Sequence, residues 1–157
     1  MVGVRTEPRL AGTAVSAARI QHFAALVRDG NPAYWDNDFA VRVWGGLVAP
    51  PALLMGLLIP PPWLPSGQPR PASIALRVPL PGTTFINAAN DAEFLTPILE
   101  GDRLSVVEEV VSVSPEKTTQ LGVGHFVETC ESYQRYDGTL VAISRNTLFR
   151  FTPGTLS

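Results

Sequence analysis

The sequence predicts an α+β fold in which an antiparallel sheet wraps around one long apolar helix. The first half carries helical patterns and ends in a segment without a polar side chain, Ala52 to Ile59. The second half carries four long runs typical of β-strands, with a hairpin signal between the last two. Because a helix that is apolar all round is buried on every side, we expect the strands to surround it.

The first helix is indicated by a cap and by helical spacing. Ser16 is suited to the N-cap position, and apolar residues follow it at intervals of three and four. The segment Asp29-Gly30-Asn31-Pro32 is a strong turn signal. The helix is therefore expected to end near Asp29.

Two further helices are expected before residue 60. Asp36 can cap a short helix over Asn37 to Val43. The third helix is the apolar segment Ala52 to Ile59, and Pro50 and Pro51 are well placed at its start, where proline is tolerated. After it, the segment Pro60 to Pro81 holds eight of the 15 prolines. That segment is expected to be neither helix nor central strand but a long, stiff loop, and loops of this length are often binding elements.

The four predicted strands share a β-branched or alternating character. They are Thr84 to Leu95, Arg103 to Ser112, Gln120 to Tyr136 and Thr139 to Phe151. Asp137-Gly138, between the last two, is the strongest hairpin signal in the chain. Ser114-Pro115-Glu116-Lys117 is a second expected turn. No internal repeat or boundary appears, so residues 1–157 are expected to form a single domain.

Composition excludes several classes of function. The formal net charge is −2 and the basic residues are scattered, which argues against nucleic acid as a partner. Cys130 is the single cysteine, so an internal disulfide or a cysteine-based zinc site is excluded, and two histidines without motif spacing give a metal site little support. Because no signal peptide or membrane span is visible, we expect a soluble cytoplasmic protein.

Three motifs resemble those of one enzyme family. The segment Arg28 to Asp36, with Ala40, resembles the signature G-D-x-N-P-[apolar]-H-x-D of MaoC-like (R)-specific enoyl-CoA hydratases. Trp44 to Pro51 is similar to the G-G-x-V-A-P-P variant of the FAS1-like and steroid-side-chain hydratase branch. Phe94 to Ile98, with Gly101-Asp102, resembles the family's P-[apolar]-x-x-G-D element. The resemblance runs from about residue 10 to residue 152.

The resemblance implies a fold, a substrate class and a partner. It implies a hot-dog fold, two copies of which pair side by side into one continuous sheet. An acyl-CoA lies in a tunnel at their junction, and no cofactor is implied. In the family, an Asp and a His activate the water that adds across the double bond of an enoyl thioester, and a backbone N–H polarises the thioester carbonyl.

Three residues stand at the family's catalytic positions. Asp29 matches the catalytic aspartate and Asn31 the asparagine that orients water, although both are also ordinary turn residues. Tyr34 stands where the family has its catalytic histidine, five residues after the aspartate. Because tyrosine titrates near pH 10, it is a poor base at neutral pH, and we expect it to pack as an aromatic residue.

A second departure from the family lies in the next motif. Ala49-Pro50 stands where the family has His-Gly, and proline has no N–H with which to polarise the carbonyl. Gly45 and Gly46 are expected to allow a tight approach rather than to cradle a phosphate. His125, flanked by glycines that indicate a closely approaching backbone, is either a tunnel residue or a structural histidine. Together these five residues are the candidate substrate-binding set.

The expected function is that of one subunit of a heteromeric enoyl-CoA hydratase (3-hydroxyacyl-CoA dehydratase). In this interpretation a sister hot-dog chain supplies the Asp/His pair, and the acyl group is bulky or steroid-like. The alternatives are a homo-oligomeric hydratase that uses Asp29, Asn31 and Tyr34, and a non-enzymatic protein that binds thioesters. A hot-dog thioesterase is a weaker alternative because Ala52 to Ile59 contains no acidic residue.

Overall fold

A computed structural model describes residues 1–59, 63, 67 and 72–154. The helical elements are α1 (Ala17–Leu26), α2 (Pro32–Trp35), α3 (Asn37–Trp44), α4 (Leu54–Leu57) and two 3₁₀ helices, Pro51–Leu53 and Ile74–Arg77. The strands are β1 (Arg9–Leu10), β2 (Thr84–Phe94), β3 (Leu104–Val113), β4 (Lys117–Thr119), β5 (Gly122–Arg135) and β6 (Leu140–Pro153).

The strands form one antiparallel sheet in the order β1-β3-β5-β6-β2, with β4 paired to β5. The α+β fold class and the four long strands are therefore confirmed. The turn at Asp137-Gly138 is confirmed as well: Gly138 has a φ of 88°, and the Asp137 carboxylate accepts a hydrogen bond from the Thr139 N–H at 2.9 Å. The short strands β1 and β4 were not predicted, because two or three residues carry too little alternation to be recognised.

The first and second predicted helices are confirmed at their caps. The Ser16 hydroxyl accepts a hydrogen bond from the Arg19 N–H, and the Asp36 carboxylate accepts one from the Phe39 N–H at 2.9 Å. Helix α1 buries Ile20 and Ala24 completely against the sheet. The turn after it forms the additional short helix α2, whose first residue is Pro32.

The prediction of one long central helix buried on every side is wrong. The apolar segment forms only the 3₁₀ helix Pro51–Leu53 and the single turn α4, and the side chains of Met55 and Ile59 are 48% and 62% exposed. A helix that ends this early leaves carbonyl groups without partners. Two arginines supply them: Arg19 Nη2 donates to the Gly56 carbonyl at 2.6 Å, and Arg9 Nη1 donates to the Leu58 carbonyl.

The inner face of the sheet is the face that packs on the helices. It carries Val106 and Tyr133 at one end, in the core with α1 and α4, and Val110 and Val127 at the other end, in a second apolar cluster with Ile74. The second cluster includes part of the segment predicted to be loop. Residues 60–62, 64–66 and 68–71 of that segment lie outside the described residues, but Ile74–Arg77 forms a 3₁₀ helix in a stretch without proline.

Arg150 fastens this 3₁₀ helix to the sheet. Its guanidinium donates hydrogen bonds to three backbone carbonyls, those of Leu76 at 3.4 Å, Val78 at 3.0 Å and Gly82 at 2.8 Å. All three acceptors precede β2, so one side chain of β6 fixes the entry of the chain into the edge strand.

Replacing Arg150 with Met is therefore expected to lower the free energy of unfolding by about 2–3 kcal/mol, because partly buried carbonyls lose charged donors. Denaturant unfolding followed by circular dichroism measures this loss. Arg145→Met is the matched control, since Arg145 lies on the same strand with an exposed side chain whose carboxylate partner Glu128 is 3.8 Å away. An equal loss in both variants would contradict the fastening role.

Candidate functional site

The turn between α1 and α2 positions the residues of the first motif. Arg28 has a φ of 56°, and the Asp29 N–H donates to the Ala24 carbonyl at 2.8 Å, so the chain reverses directly after α1. The Asp29 carboxylate accepts from the Asn31 N–H at 3.0 Å. The Asn31 side chain accepts from the Ala33 N–H at 3.0 Å and so caps α2. Both side chains form the local bonds that the turn interpretation predicts.

Tyr34 lies behind this turn and is 7% exposed. Burial raises the pKa of its phenol, the negative charge of Asp29 raises it further, and a hydrogen bond from Asn31 acts in the opposite direction. The phenol therefore stays neutral at physiological pH. It can donate a hydrogen bond, but it does not serve as a base there.

A cavity of about 270 Å³ opens beside Tyr34. Most of its lining is apolar, and the lining comprises Asn31, Ala33, Tyr34, Trp44, Val48, Ala49, Pro51, Phe94, Leu95, Thr96, Pro97 and Ile98. All three motifs of the sequence thus contribute to one cavity. Of the candidate residues, Asn31, Tyr34 and Ala49 line it, while Asp29 acts on Tyr34 through its charge.

Several lining residues were not among the candidates. Trp44 precedes Gly45-Gly46, Pro51 follows Pro50, and Phe94 ends β2. Each lies inside a motif that the sequence singled out, so motif membership was the available signal. Which side chain faces the cavity depends on the local turn, and that could not be derived from spacing.

The wall formed by residues 48–51 presents no free N–H to the cavity. The Val48 N–H donates to the Ala33 carbonyl at 3.1 Å, and the Ala49 N–H donates to the Ile98 carbonyl at 2.7 Å. Pro50 and Pro51 have no N–H. This stretch therefore cannot polarise a thioester carbonyl, whichever of its residues is aligned with the family's glycine.

The remaining candidates lie elsewhere. Gly45, with a φ of 88°, ends α3, and its N–H donates to the Val41 carbonyl. The predicted tight approach at Gly45 and Gly46 is wrong, because an added Cβ would meet only the Leu99 side chain, at 4.0 Å, on Gly45 and nothing within 4 Å on Gly46. Neither glycine nor Pro50 is among the cavity-lining residues. Gly45, Gly46 and Pro50 therefore shape the turn that leads from α3 into the cavity wall, and they do not contact the cavity themselves.

His125 lies on β5, away from the cavity. Its Nδ1 is 3.0 Å from the Ser114 carbonyl, and it pairs across the sheet with Arg150. The predicted close approach of a backbone at the flanking glycines is confirmed: a Cβ on Gly124 would lie 2.1 Å from the Arg150 carbonyl oxygen. The other histidine, His22 on α1, is exposed. In the described part of the chain, no three His, Cys, Asp or Glu side chains cluster as metal ligands do.

Asn31→Ala is expected to lower the free energy of unfolding by about 1 kcal/mol, because α2 loses its N-cap acceptor. Thermal or urea unfolding of the chain alone measures this. Asn31→Ser keeps an oxygen that can cap the helix and should recover most of the loss. Equal stability of Asn31→Ala and the unchanged chain would contradict the structural role of this side chain.

Comparisons with known proteins identify the family and the fold of this chain. Residues 1–144 match the family described as FAS1-like, dehydratase domain region. Over 153 residues the chain is 32% identical to a probable enoyl-CoA hydratase alpha subunit from Thermomonospora curvata. The alignment covers 94% of this chain and 48% of that protein, so the chain spans about half the length of this relative.

Two solved structures share the fold. The ChsH1-ChsH2 complex of Mycobacterium tuberculosis superposes with a TM-score of 0.78 at 24% identity, over 97% of this chain and 86% of that one. The R-hydratase PhaJ1 of Pseudomonas aeruginosa superposes with a TM-score of 0.63 at 22% identity, over 100% and 88% of the two chains. Within the described residues, no helix has the length and apolar character needed to cross a bilayer. The chain belongs to the FAS1-like dehydratase domain family and has the hot-dog fold of the MaoC-like dehydratases.

Proposed function

We propose that this chain is the non-catalytic half of an enoyl-CoA hydratase (3-hydroxyacyl-CoA dehydratase), and that it pairs with a hot-dog partner that carries the catalytic residues. The observation that carries the proposal is the wall of the cavity beside Tyr34. The cavity lies where the three motifs meet, and its lining is mostly apolar, as expected for a site that binds an acyl group. Tyr34 and residues 48–51, which stand at the family's catalytic positions, lack the two groups that the reaction requires.

Hydration of an enoyl thioester requires a base for the water and a donor for the carbonyl oxygen, which becomes negatively charged. The neutral, buried phenol of Tyr34 does not supply the base. Residues 48–51 do not supply a backbone donor, since their N–H groups are bonded inside the chain or absent. The cavity can therefore hold an acyl group, but the residues at the family's catalytic positions do not activate it.

The two edges of the sheet differ, and only the β2 edge is open to pairing with a strand of the partner. Along β3 the N-terminal segment covers the edge, with the Gly3 N–H donating to the Val110 carbonyl and the Thr6 N–H to the Glu108 carbonyl, both at 2.8 Å. On the opposite side, β2 lies at the end of the strand order of the described chain. Its eleven residues are exposed except for Thr84, and they include Phe85, Ile86 and Phe94. A long edge strand with apolar side chains favours addition of another strand.

The relatives support a partner of a different sequence. The protein from Thermomonospora curvata is named as an alpha subunit, and the solved structure from Mycobacterium tuberculosis is a complex of two named proteins. We propose a bulky, steroid-like acyl group because α4 is a single turn. Among the described residues, a helix this short covers less of the inner face than a long one would.

Purifying the chain alone, and together with a hot-dog protein that has an intact D-x4-H pair, tests the proposal. Each sample is assayed for hydration of a crotonyl and a medium-chain enoyl-CoA by the loss of enoyl absorbance. We expect turnover from the pair and none above background from the chain alone. Robust turnover by the chain alone would favour the homo-oligomeric hydratase, and binding of acyl-CoA without turnover by any pair would favour the non-enzymatic alternative.

Tyr34→His alone is expected to leave the isolated chain inactive, within about tenfold of background, because the missing oxyanion donor by itself costs about 10²–10³ in kcat. The same absorbance assay checks this, with circular dichroism to confirm the fold. Tyr34→Phe serves as the control for a change of side chain at this buried position. Recovery of hydratase activity by Tyr34→His would show that another N–H serves as the donor.

A further inference from the structure

A second cavity, of about 520 Å³, lies over the inner face at the β3 edge of the sheet. One wall is the N-terminal segment 5–9, the other is the segment 72–77, and Glu108 and Glu131 form the floor. Among the described residues, none lines both this cavity and the cavity beside Tyr34. Its volume falls within the range of small-molecule sites, about 300–1,000 Å³.

The floor of the cavity contains two glutamates side by side, a pairing that lowers the stability of the sheet. Glu108 on β3 is paired directly with Glu131 on β5, and like charges opposite each other on neighbouring strands are destabilising. Glu108 has a structural explanation. Its carboxylate accepts hydrogen bonds from the Ser73 hydroxyl and from the Ile74 N–H, and thereby holds the 3₁₀ helix Ile74–Arg77 on the sheet.

Glu131 has no such helix to hold. Its Oε2 accepts a hydrogen bond from the hydroxyl of Tyr133, a side chain that is 2% exposed and packed in the core. Burial raises the pKa of the Glu131 carboxyl. Arg9 lines the same cavity and is anchored through its bond to the Leu58 carbonyl. An acceptor and a donor are thus both held in place beside the empty volume.

The charges of the lining decide which ligand chemistry fits. Among the described lining residues, Arg9 and Arg77 face Glu7, Glu108 and Glu131, while the guanidinium of Arg5 is paired with Glu109, outside the lining, at 2.8 Å, so the cavity presents groups of both signs. A free anion would meet the two carboxylates of the floor, and a free cation would meet the guanidinium groups. A hydroxyl group both donates and accepts, so it can bond to Glu131 and Arg9 together without adding charge.

We propose that this cavity binds a neutral, hydroxyl-bearing group of a ligand, with the hydroxyl donating to Glu131 and accepting from Arg9. The two cavities lie over the same inner face, since Phe94 of the first pairs with Ala142, which pairs with Tyr133. Three strand spacings, about 14 Å, separate β2 from β3. In the proposed hydratase this hydroxyl would belong to the far end of the acyl group, and to that extent the assignment rests on the proposed function.

Isothermal titration of the full chain with two neutral probes tests the site. The probes are a decalin carboxamide with one hydroxyl on the far ring and the same amide without the hydroxyl. We expect the hydroxylated probe to bind about tenfold more tightly, in keeping with a bond to a charged group. Glu131→Leu should remove this preference, whereas Glu128→Leu, which changes a glutamate of β5 on the outer face, should keep it.

Glu131→Gln provides a second variant if Glu131→Leu does not fold, because it keeps a partner for Tyr133. It should reduce the preference severalfold while leaving the circular dichroism spectrum unchanged. Equal affinities for the two probes, no binding of either probe, or a preference that survives substitution of Glu131 would overturn the site. If the hydratase pair turns over crotonyl-CoA while the chain shows no preference for the hydroxylated probe, this site alone is refuted. If the chain prefers the hydroxylated probe but no hot-dog partner gives it hydratase activity, the proposed function alone is refuted.

Discussion

Gly124→Ala is expected to lower the free energy of unfolding by about 3 kcal/mol or more, which is large for the addition of one methyl group. The added Cβ would lie 2.1 Å from the Arg150 carbonyl oxygen and 2.6 Å from the Cα of Phe151. Both contacts are with the backbone of β6, so no side-chain rotation relieves them. The two central strands, β5 and β6, would have to separate where the start of β5 meets the end of β6.

Urea unfolding of the purified variant measures this effect, and a loss of the native circular dichroism spectrum would be its extreme form. Gly12→Ala is the matched control, because a Cβ at Gly12 would meet nothing within 4 Å. It should change the free energy of unfolding by less than about 1 kcal/mol. If Gly124→Ala were as stable as Gly12→Ala, the close pairing of Gly124 with Phe151 would be contradicted.

Gly124 is one of the features of the fold that could be predicted from the sequence. The glycines around His125 correctly indicated a nearby backbone, and alternation correctly gave the long strands. Helix length failed because the apolar run Ala52 to Ile59 predicts burial but does not say how many turns form. At the end of α4 the carbonyls of Leu58 and Gly56 are bound by Arg9 and Arg19 respectively, two residues that lie far from it in sequence.

For the candidate site, the motifs correctly predicted which segments line the cavity, but not which of their side chains face it. Asn31, Tyr34 and Ala49 do line the cavity, and Asp29 does influence Tyr34. The absence of a free N–H at Val48 and Ala49 could not be predicted, since it depends on bonds to Ala33 and Ile98 across the fold. The larger cavity was missed entirely, because the sequence separates Arg9, Glu108 and Glu131 and no motif joins them.

The pairing of β2 leads to the second large effect. The Leu95 N–H donates to the Val141 carbonyl at 2.9 Å, and the β2–β6 register runs without interruption from Ala89 to Phe94. Because bonding directions alternate along an antiparallel pair, the N–H groups of Asn90, Ala92 and Phe94 point away from β6. They therefore form the donors of the open edge.

Ala92→Pro is expected to raise the dissociation constant of the proposed hydratase pair about 100-fold or more, about 3 kcal/mol. Proline removes a donor and places its ring on the pairing edge, but it takes no hydrogen bond from β6, and edge strands tolerate it there. Analytical ultracentrifugation of the two subunits measures the change, and hydration of crotonyl-CoA at fixed concentration should fall with it.

Ala92→Val is the control that isolates the N–H, since it adds a similar volume and keeps the donor. The isolated Ala92→Pro chain should retain the circular dichroism spectrum of the unchanged chain, which separates loss of pairing from loss of the fold. Undiminished assembly of a folded Ala92→Pro chain would place the partner on another surface. The cavity beside Tyr34, which Phe94 and Leu95 border, would then be completed from a different side.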